Sequence, residues 1–263
     1  MSRSEAPSEL PVGVFDSGVG GLTVLRALVG QLPREDFLYL GDTARLPYGT
    51  KSPGTVARYS VRAAESLAER GIKALVVACN TASSTALPAL RERFPELPVI
   101  GVIEPGARAA CEASTSGRIA VLATEGTVAG GAYQRAIHEL RPDAHVTQVA
   151  CQIFVALAEE GWSEGEAVDA VTERYLAHLD ARVDTVVLGC THFPLLADEI
   201  AAAFPAIAQV DGGPGIARRI AYLTQGQDWP GETYAGIAVF TSAVPTDLLP
   251  ALAGFGLTDF QQL

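Results

Sequence analysis

Two cysteines occupy matched places in a weak internal repeat. Val76-Val77-Ala78-Cys79-Asn80-Thr81 reappears as Val187-Leu188-Gly189-Cys190-Thr191-His192, an offset of 111 residues. In each copy a short apolar run ends on a thiol and then turns polar, the pattern of a buried strand running into the start of a helix. Open α/β sheets place ligands at that end of their strands. Free backbone N–H groups and the positive end of a helix dipole favour thiolate over thiol, lowering a cysteine pKa from about 8.5. A single cysteine after a strand is more often a small buried hydrophobe. Two at equivalent places can face each other across a cleft, which suits a reaction that needs one base on each face of a carbon.

Polar residues cluster near both thiols. Asp16 and Ser17 follow an apolar run in Val14-Phe15-Asp16-Ser17-Gly18-Val19-Gly20-Gly21, so the carboxylate lies at the same sheet edge as Cys79 and can share its proton. Either residue could equally cap the helix that follows. His192, two residues beyond Cys190, can hold or relay a proton for the second thiol. Thr191, Asn80 and Thr81 offer hydroxyl, amide and backbone donors for a carboxylate, or serve as caps. The turn-rich segment from Leu40 to Thr50 is long enough to overhang a strand end, or to be a rigid surface turn. The glycines do not make a nucleotide site: Gly18-x-Gly20-x-x-Thr23 breaks the GxGxxG pattern, and no GxxxxGK[ST] occurs.

Positioning these residues requires alternating strands and helices. The spacing predicts strands over Val12–Phe15, Phe37–Leu40, Ala74–Ala78, Val99–Val102, Ile119–Leu122 and Thr185–Gly189. It predicts helices over Leu22–Gln31, Pro53–Arg70, Ser84–Arg93, Ala129–Leu140, Glu164–Leu179 and Pro194–Ala203. This is an α/β, doubly wound and mainly parallel arrangement. A second repeat, Val14-Phe15-Asp16-Ser17 against Val121-Leu122-Ala123-Thr124, has an offset of 107 residues, so each half is expected to be its own α/β unit. The pattern breaks at Gly101-Val102-Ile103-Glu104-Pro105-Gly106. The expected division is residues 1–104 plus 214–263, carrying Asp16 and Cys79, and residues 105–213, carrying Cys190 and His192, with the last stretch returning to the first unit.

The net charge of −11 repels phosphate backbones and anionic membranes, and no basic patch offsets it, so direct nucleic-acid binding is not expected. No run reaches a membrane span and the first ten residues lack an apolar signal core. Cys79, Cys111, Cys151 and Cys190 lie far apart with no CxxC pair, which suggests neither a disulfide framework nor a metal site. A cytoplasmic protein with free thiols is expected.

Four blocks carry a resemblance: Gly13-Val14-Phe15-Asp16-Ser17-Gly18-Val19-Gly20-Gly21-Leu22, Gly41-Asp42-Thr43-Ala44-Arg45-Leu46-Pro47-Tyr48-Gly49, Ala78-Cys79-Asn80-Thr81-Ala82-Ser83 and Gly189-Cys190-Thr191-His192-Phe193-Pro194-Leu195. In this order the chain resembles the glutamate racemases of the aspartate/glutamate racemase superfamily, over residues 13 to about 213. The resemblance implies two pseudo-symmetric domains and interconversion of L- and D-glutamate for peptidoglycan synthesis, without pyridoxal phosphate, other cofactor or metal. It further implies that Cys79 takes the Cα proton from D-glutamate and Cys190 from L-glutamate. Asp16 would assist Cys79, while His192 and an acid, best matched by Glu159, would assist Cys190. Substrate contacts would be Asp16, Ser17, Pro47, Tyr48, Gly49, Asn80, Thr81, Thr124, Thr191 and His192. Gln152 stands where the family often has proline, and Gly212 where it often has serine. A homodimer is implied. Other readings in view are a racemase of another acidic amino acid or a hydantoin, a non-catalytic acidic amino-acid binder, or a partner of DNA gyrase.

Overall fold

The structure, a computed structural model, describes residues 10–177, 179–224, 237–241 and 260–262. The first half supplies strands β1 (Val12–Asp16), β2 (Phe37–Gly41), β3 (Ala74–Val77) and β4 (Val99–Gly101). The second supplies β5 (Arg118–Ala123), β6 (His145–Ala150), β7 (Thr185–Gly189) and β8 (Ala208–Val210). Two further strands, β9 (Ile237–Thr241) and β10 (Phe260–Gln262), return to the first sheet. The sheet orders are β10-β9-β2-β1-β3-β4 and β6-β5-β7-β8. Set β9 and β10 aside and the two orders are the same arrangement, with every pairing among the described residues parallel. The register repeats as well: Phe15 pairs with Val77, and its counterpart Leu122 with Leu188.

The central strands are apolar throughout because both faces of each sheet are covered. Every residue of β1, β3 and β7 is buried. Alternation along the strand divides them between two cores. Val12 and Val14 join one cluster with α1 (Leu22–Gln31), while Phe15 joins the other with α2 (Pro53–Ala68). In the second sheet Ala120 and Leu122 face one cluster, and Ile119 and Val121 the opposite one. The expected α/β class with two doubly wound, parallel sheets is what the chain forms.

Several helices differ from expectation for local reasons. The stretch Ser84–Arg93 is divided between α3 (Asn80–Thr85) and α4 (Leu87–Arg93), with Pro88 in the first turn of the latter. Proline cannot continue a helix from within, since it lacks the N–H and crowds the carbonyl four residues back. The stretch Ala129–Leu140 breaks at Gly131, whose φ of 60° is left-handed, into α6 (Glu125–Gly130) and α7 (Ala132–Leu140). Gly101 to Gly106 does not interrupt the pattern. It is the end of β4 and the first turn of α5 (Ile103–Ala113), which accepts Pro105 because first-turn N–H groups have no intrahelical partner.

Beyond α5 follow α8 (Gln152–Glu159), α9 (Glu166–Leu176), α10 (Ala197–Ala203) and α11 (Gly213–Thr224). Of these, α8 and α11, with strands β6 and β8, lie outside the segments for which the spacing predicts an element. Helix α11 puts Ile216, Ala217 and Ile220 into the cluster built on β1 and α1. Among the described residues no helix is long and apolar enough to cross a membrane.

Candidate active site

The two pseudo-equivalent sheets turn the carboxyl ends of their central strands toward one narrow cleft. Strand β3 delivers Cys79 and β7 delivers Cys190, and both thiols line the cleft. They are 4% and 6% exposed, so each reaches the cleft while nearly sealed from bulk water. The free space is about 20 Å³, about enough for one water. An amino acid therefore fits only if the lining moves outward.

The surroundings of the two sulfurs differ more than the repeat suggests. Cys79 caps α3, and its sulfur accepts from the Ala82 N–H at 3.5 Å. The expectation that this helix start lowers the pKa is outweighed. Burial and the neighbouring Asp16 carboxyl push the thiol up to about 12, against hydrogen bonds from Ser17 and Ala82 that favour the thiolate. Cys190 has no α-helix start behind it: a 3-10 turn, Phe193–Leu196, comes first, and α10 begins only at Ala197. An imidazole takes the helix's place. His192 Nδ1 stands 3.6 Å from the Cys190 sulfur, and its Nε2 lies 2.5 Å from Glu159 Oε1. Burial lowers the His192 pKa, but hydrogen bonds to Cys190 and Glu159 outweigh it and hold the imidazolium to about pH 10.

Asp16 is wholly buried and does not form part of the cleft wall; it lies behind it. One carboxyl oxygen accepts from Gly18 N–H at 2.9 Å and the other from the Thr191 hydroxyl at 3.4 Å. Burial raises its pKa, opposed by His192 and the Gly18 and Gly21 N–H groups. The capping reading is not borne out, because α1 starts from Gly21 without a side-chain cap; the carboxyl instead binds the Gly18 and Gly21 N–H groups ahead of the helix, within electrostatic reach of Cys79.

The remaining expected residues come together. Ser17, Pro47, Tyr48, Gly49, Asn80, Thr81, Thr124, Thr191, His192 and Glu159 all line the cleft. The Leu40–Thr50 segment is both rigid and overhanging, because buried Asp42 accepts from Arg45 at 3.0 and 3.1 Å and from the Tyr48 hydroxyl at 2.6 Å. Among the described residues no lysine or arginine lines the cleft; the donors offered to a carboxylate there are amides, hydroxyls and the imidazolium.

Sequence reasoning missed Asp42, although it lies inside a quoted block, and Thr127. The hydroxyls of Thr81, Thr124 and Thr127 form a buried triangle, with separations of 2.9, 3.2 and 3.0 Å, that joins the halves. The Thr-x-x-Thr spacing was the available signal, since Thr124 caps α6 by accepting from Thr127 N–H at 3.4 Å. Of the two departures, Gln152 Oε1 is buried near Gly49 and has no hydrogen-bond partner among the described residues. Gly212 packs so closely on Val102 that a Cβ would stand 2.6 Å from its carbonyl oxygen, leaving no room for serine without a shift.

Comparison with known proteins gives the same picture. A curated glutamate racemase of Geobacter metallireducens is 48% identical over 242 residues, covering 90% of this chain and 89% of that one. The crystal structure of a Francisella tularensis glutamate racemase in complex with D-glutamate is 32% identical with a TM-score of 0.89, covering 97% of both chains. One from Bacillus anthracis is 33% identical with a TM-score of 0.91, covering 97% of this chain and 98% of that one. Residues 13–218 match the Asp/Glu/Hydantoin racemase family, and the chain belongs to that family.

Proposed function

We propose that the protein interconverts L- and D-glutamate by a cofactor-independent, two-base 1,1-proton transfer, with Cys79 on one face of Cα and Cys190 on the other. The observation that carries this reading is that two thiols from pseudo-equivalent strands line one cleft. In the direction from L-glutamate, the Cys190 thiolate takes the Cα proton, the electron pair delocalises into the α-carboxylate, and the Cys79 thiol returns a proton to the opposite face. The reverse direction exchanges the roles. Each turnover leaves the proton on the other sulfur, so the protein must restore its starting protonation before repeating the same direction.

The Cα–H bond is a weak acid, and the barrier falls only if charge developing on the carboxylate is met by preset donors in a dry site. Asn80, Thr81, Thr124 and Thr191 offer such donors, while the His192 imidazolium at 3.6 Å is the electrostatic partner that a thiolate at Cys190 needs. Glu159 supports the imidazolium. Asp16, with its pKa raised by burial, is suited to exchange a proton with the Cys79 thiol.

Glutamate is favoured over aspartate or a hydantoin by the Geobacter relative and the D-glutamate complex of the Francisella one. The product would supply peptidoglycan synthesis in a bacterial cytoplasm, a reducing compartment in which both sulfurs stay free. A division into residues 1–104 plus 214–263 and 105–213 belongs to the same reading, supported by the return of β9 and β10 to the first sheet. So does a homodimer: Ile153 and Trp162, 49% and 55% exposed, are apolar surface that a second copy would cover.

The test is optical. Purified protein without added pyridoxal phosphate should racemise either glutamate enantiomer, and should act more slowly on aspartate and hydantoins. Binding without loss of optical activity, or a preference for another substrate, contradicts the proposal.

A further inference from the structure

Asn80 follows Cys79 directly and lines the cleft, so the way its amide is turned decides whether it presents a donor or an acceptor to an anionic substrate. A carboxylate requires the donor, Nδ2. Nothing in the local sequence sets that choice. Tyr133 sets it from the other half of the molecule: its hydroxyl, on α7, lies 2.8 Å from Asn80 Oδ1. Tyr133 is fully buried, and burial raises its pKa further above the usual tyrosine range, so it remains a protonated donor. A buried O–H must find an acceptor, and Oδ1 takes it. Turning the amide over would present Nδ2 to the hydroxyl and strand the tyrosine proton.

A glycine makes room for this hydroxyl. At Gly106, inside α5, a Cβ would stand 2.9 Å from the Tyr133 hydroxyl oxygen. A helical glycine is unfavourable relative to alanine, and its place here is explained by the hydroxyl it admits.

We infer that Tyr133 is a positioning residue for the reaction: by donating to Asn80 Oδ1 across the two halves it fixes the amide so that Nδ2 faces a carboxylate of the substrate. The inference rests on the proposed glutamate racemisation. Its action is on binding, before and during proton transfer alike, so it belongs in KM rather than kcat.

The experiment is a double-mutant cycle of Tyr133→Phe and Asn80→Ala in the full chain, reading kcat and KM in both directions and Kd for glutamate by calorimetry. Tyr133→Phe should raise KM and Kd roughly tenfold, the size of one hydrogen bond to a charged group, and change kcat little. In the Asn80→Ala background it should have no further effect. Unchanged KM and Kd in Tyr133→Phe, or an equal rise in both backgrounds, overturns the inference. If Tyr133→Phe does not fold, Gly106→Ala, which crowds the same hydroxyl with a methyl while favouring the helix, should raise KM and Kd alike, and no rise is again contrary. A wild type that binds glutamate without racemising it overturns the reading of function while the Kd cycle still judges Tyr133. One that does neither overturns both.

Discussion

Gly20 of the first half lies against Thr191 of the second so closely that a Cβ on it would stand 2.6 Å from the Thr191 hydroxyl oxygen and 2.8 Å from the His192 ring. The seam is held on either side of that contact. Thr23 donates its hydroxyl to the Thr191 carbonyl at 3.0 Å, and Asp16 accepts from the Thr191 hydroxyl at 3.4 Å. The residue after one reactive sulfur is thus gripped by the half that carries the other.

Gly20→Ala should therefore separate the halves by a few tenths of an ångström or more at the place where the site is least tolerant. A displacement approaching 1 Å costs about 100-fold in rate, so kcat/KM should fall by about that factor while circular dichroism stays that of a folded α/β protein. Retention of full activity would mean that the seam closes differently when substrate is bound.

Glu159→Gln removes the charge facing His192 Nε2 and leaves a side chain of the same shape. Enantiomers have equal free energy, so kcat/KM must fall equally in both directions whatever the asymmetry of the site. The expected fall is about 10- to 100-fold, the range for a hydrogen bond between charged groups, with the loss divided differently between kcat and KM in the two directions. Because Glu159 helps raise the His192 pKa, the alkaline limb of the rate profile should move to lower pH. An unmoved limb would detach Glu159 from the imidazolium.

The same pair makes stability depend on pH. His192 has its folded pKa raised from 6.5 to about 10, so its contribution is complete below pH 6.5, declines as pH rises between these values, and is gone above about 10. The melting temperature of wild type should exceed that of His192→Asn most at pH 6, with the gap narrowing steadily toward pH 10. A gap that is constant across this window would show that the histidine does not hold its proton in the folded protein.

What the sequence discloses here is what it repeats. The strand-Cys-polar unit appears twice, and its register survives as Phe15 against Val77 and Leu122 against Leu188. Buried central strands are legible because both faces need apolar residues. The half-exposed edge strand His145–Ala150 carries no such run. Local breakers mislead in both senses: Pro105 and Gly106 suggest an interruption where α5 begins, while Pro194 and the residues around it turn an expected α-helix into a 3-10 turn first. The asymmetry of the thiols is not in the repeat. It depends on Glu159 meeting His192 from 33 residues away, and the Tyr133 bond to Asn80 spans 53; neither contact has a local signature.

The central claim is that a different sulfur serves each face of Cα, and the isotope of the transferred proton tests it most directly. Started from one enantiomer in deuterated water, the reaction should give product that carries deuterium at Cα, while the substrate recovered early carries almost none, because the incoming proton comes from the solvent-exchanged thiol and the outgoing one remains on the other. Product that keeps its original proton would mean that one base carries it from face to face, and the two-thiol account would be contradicted.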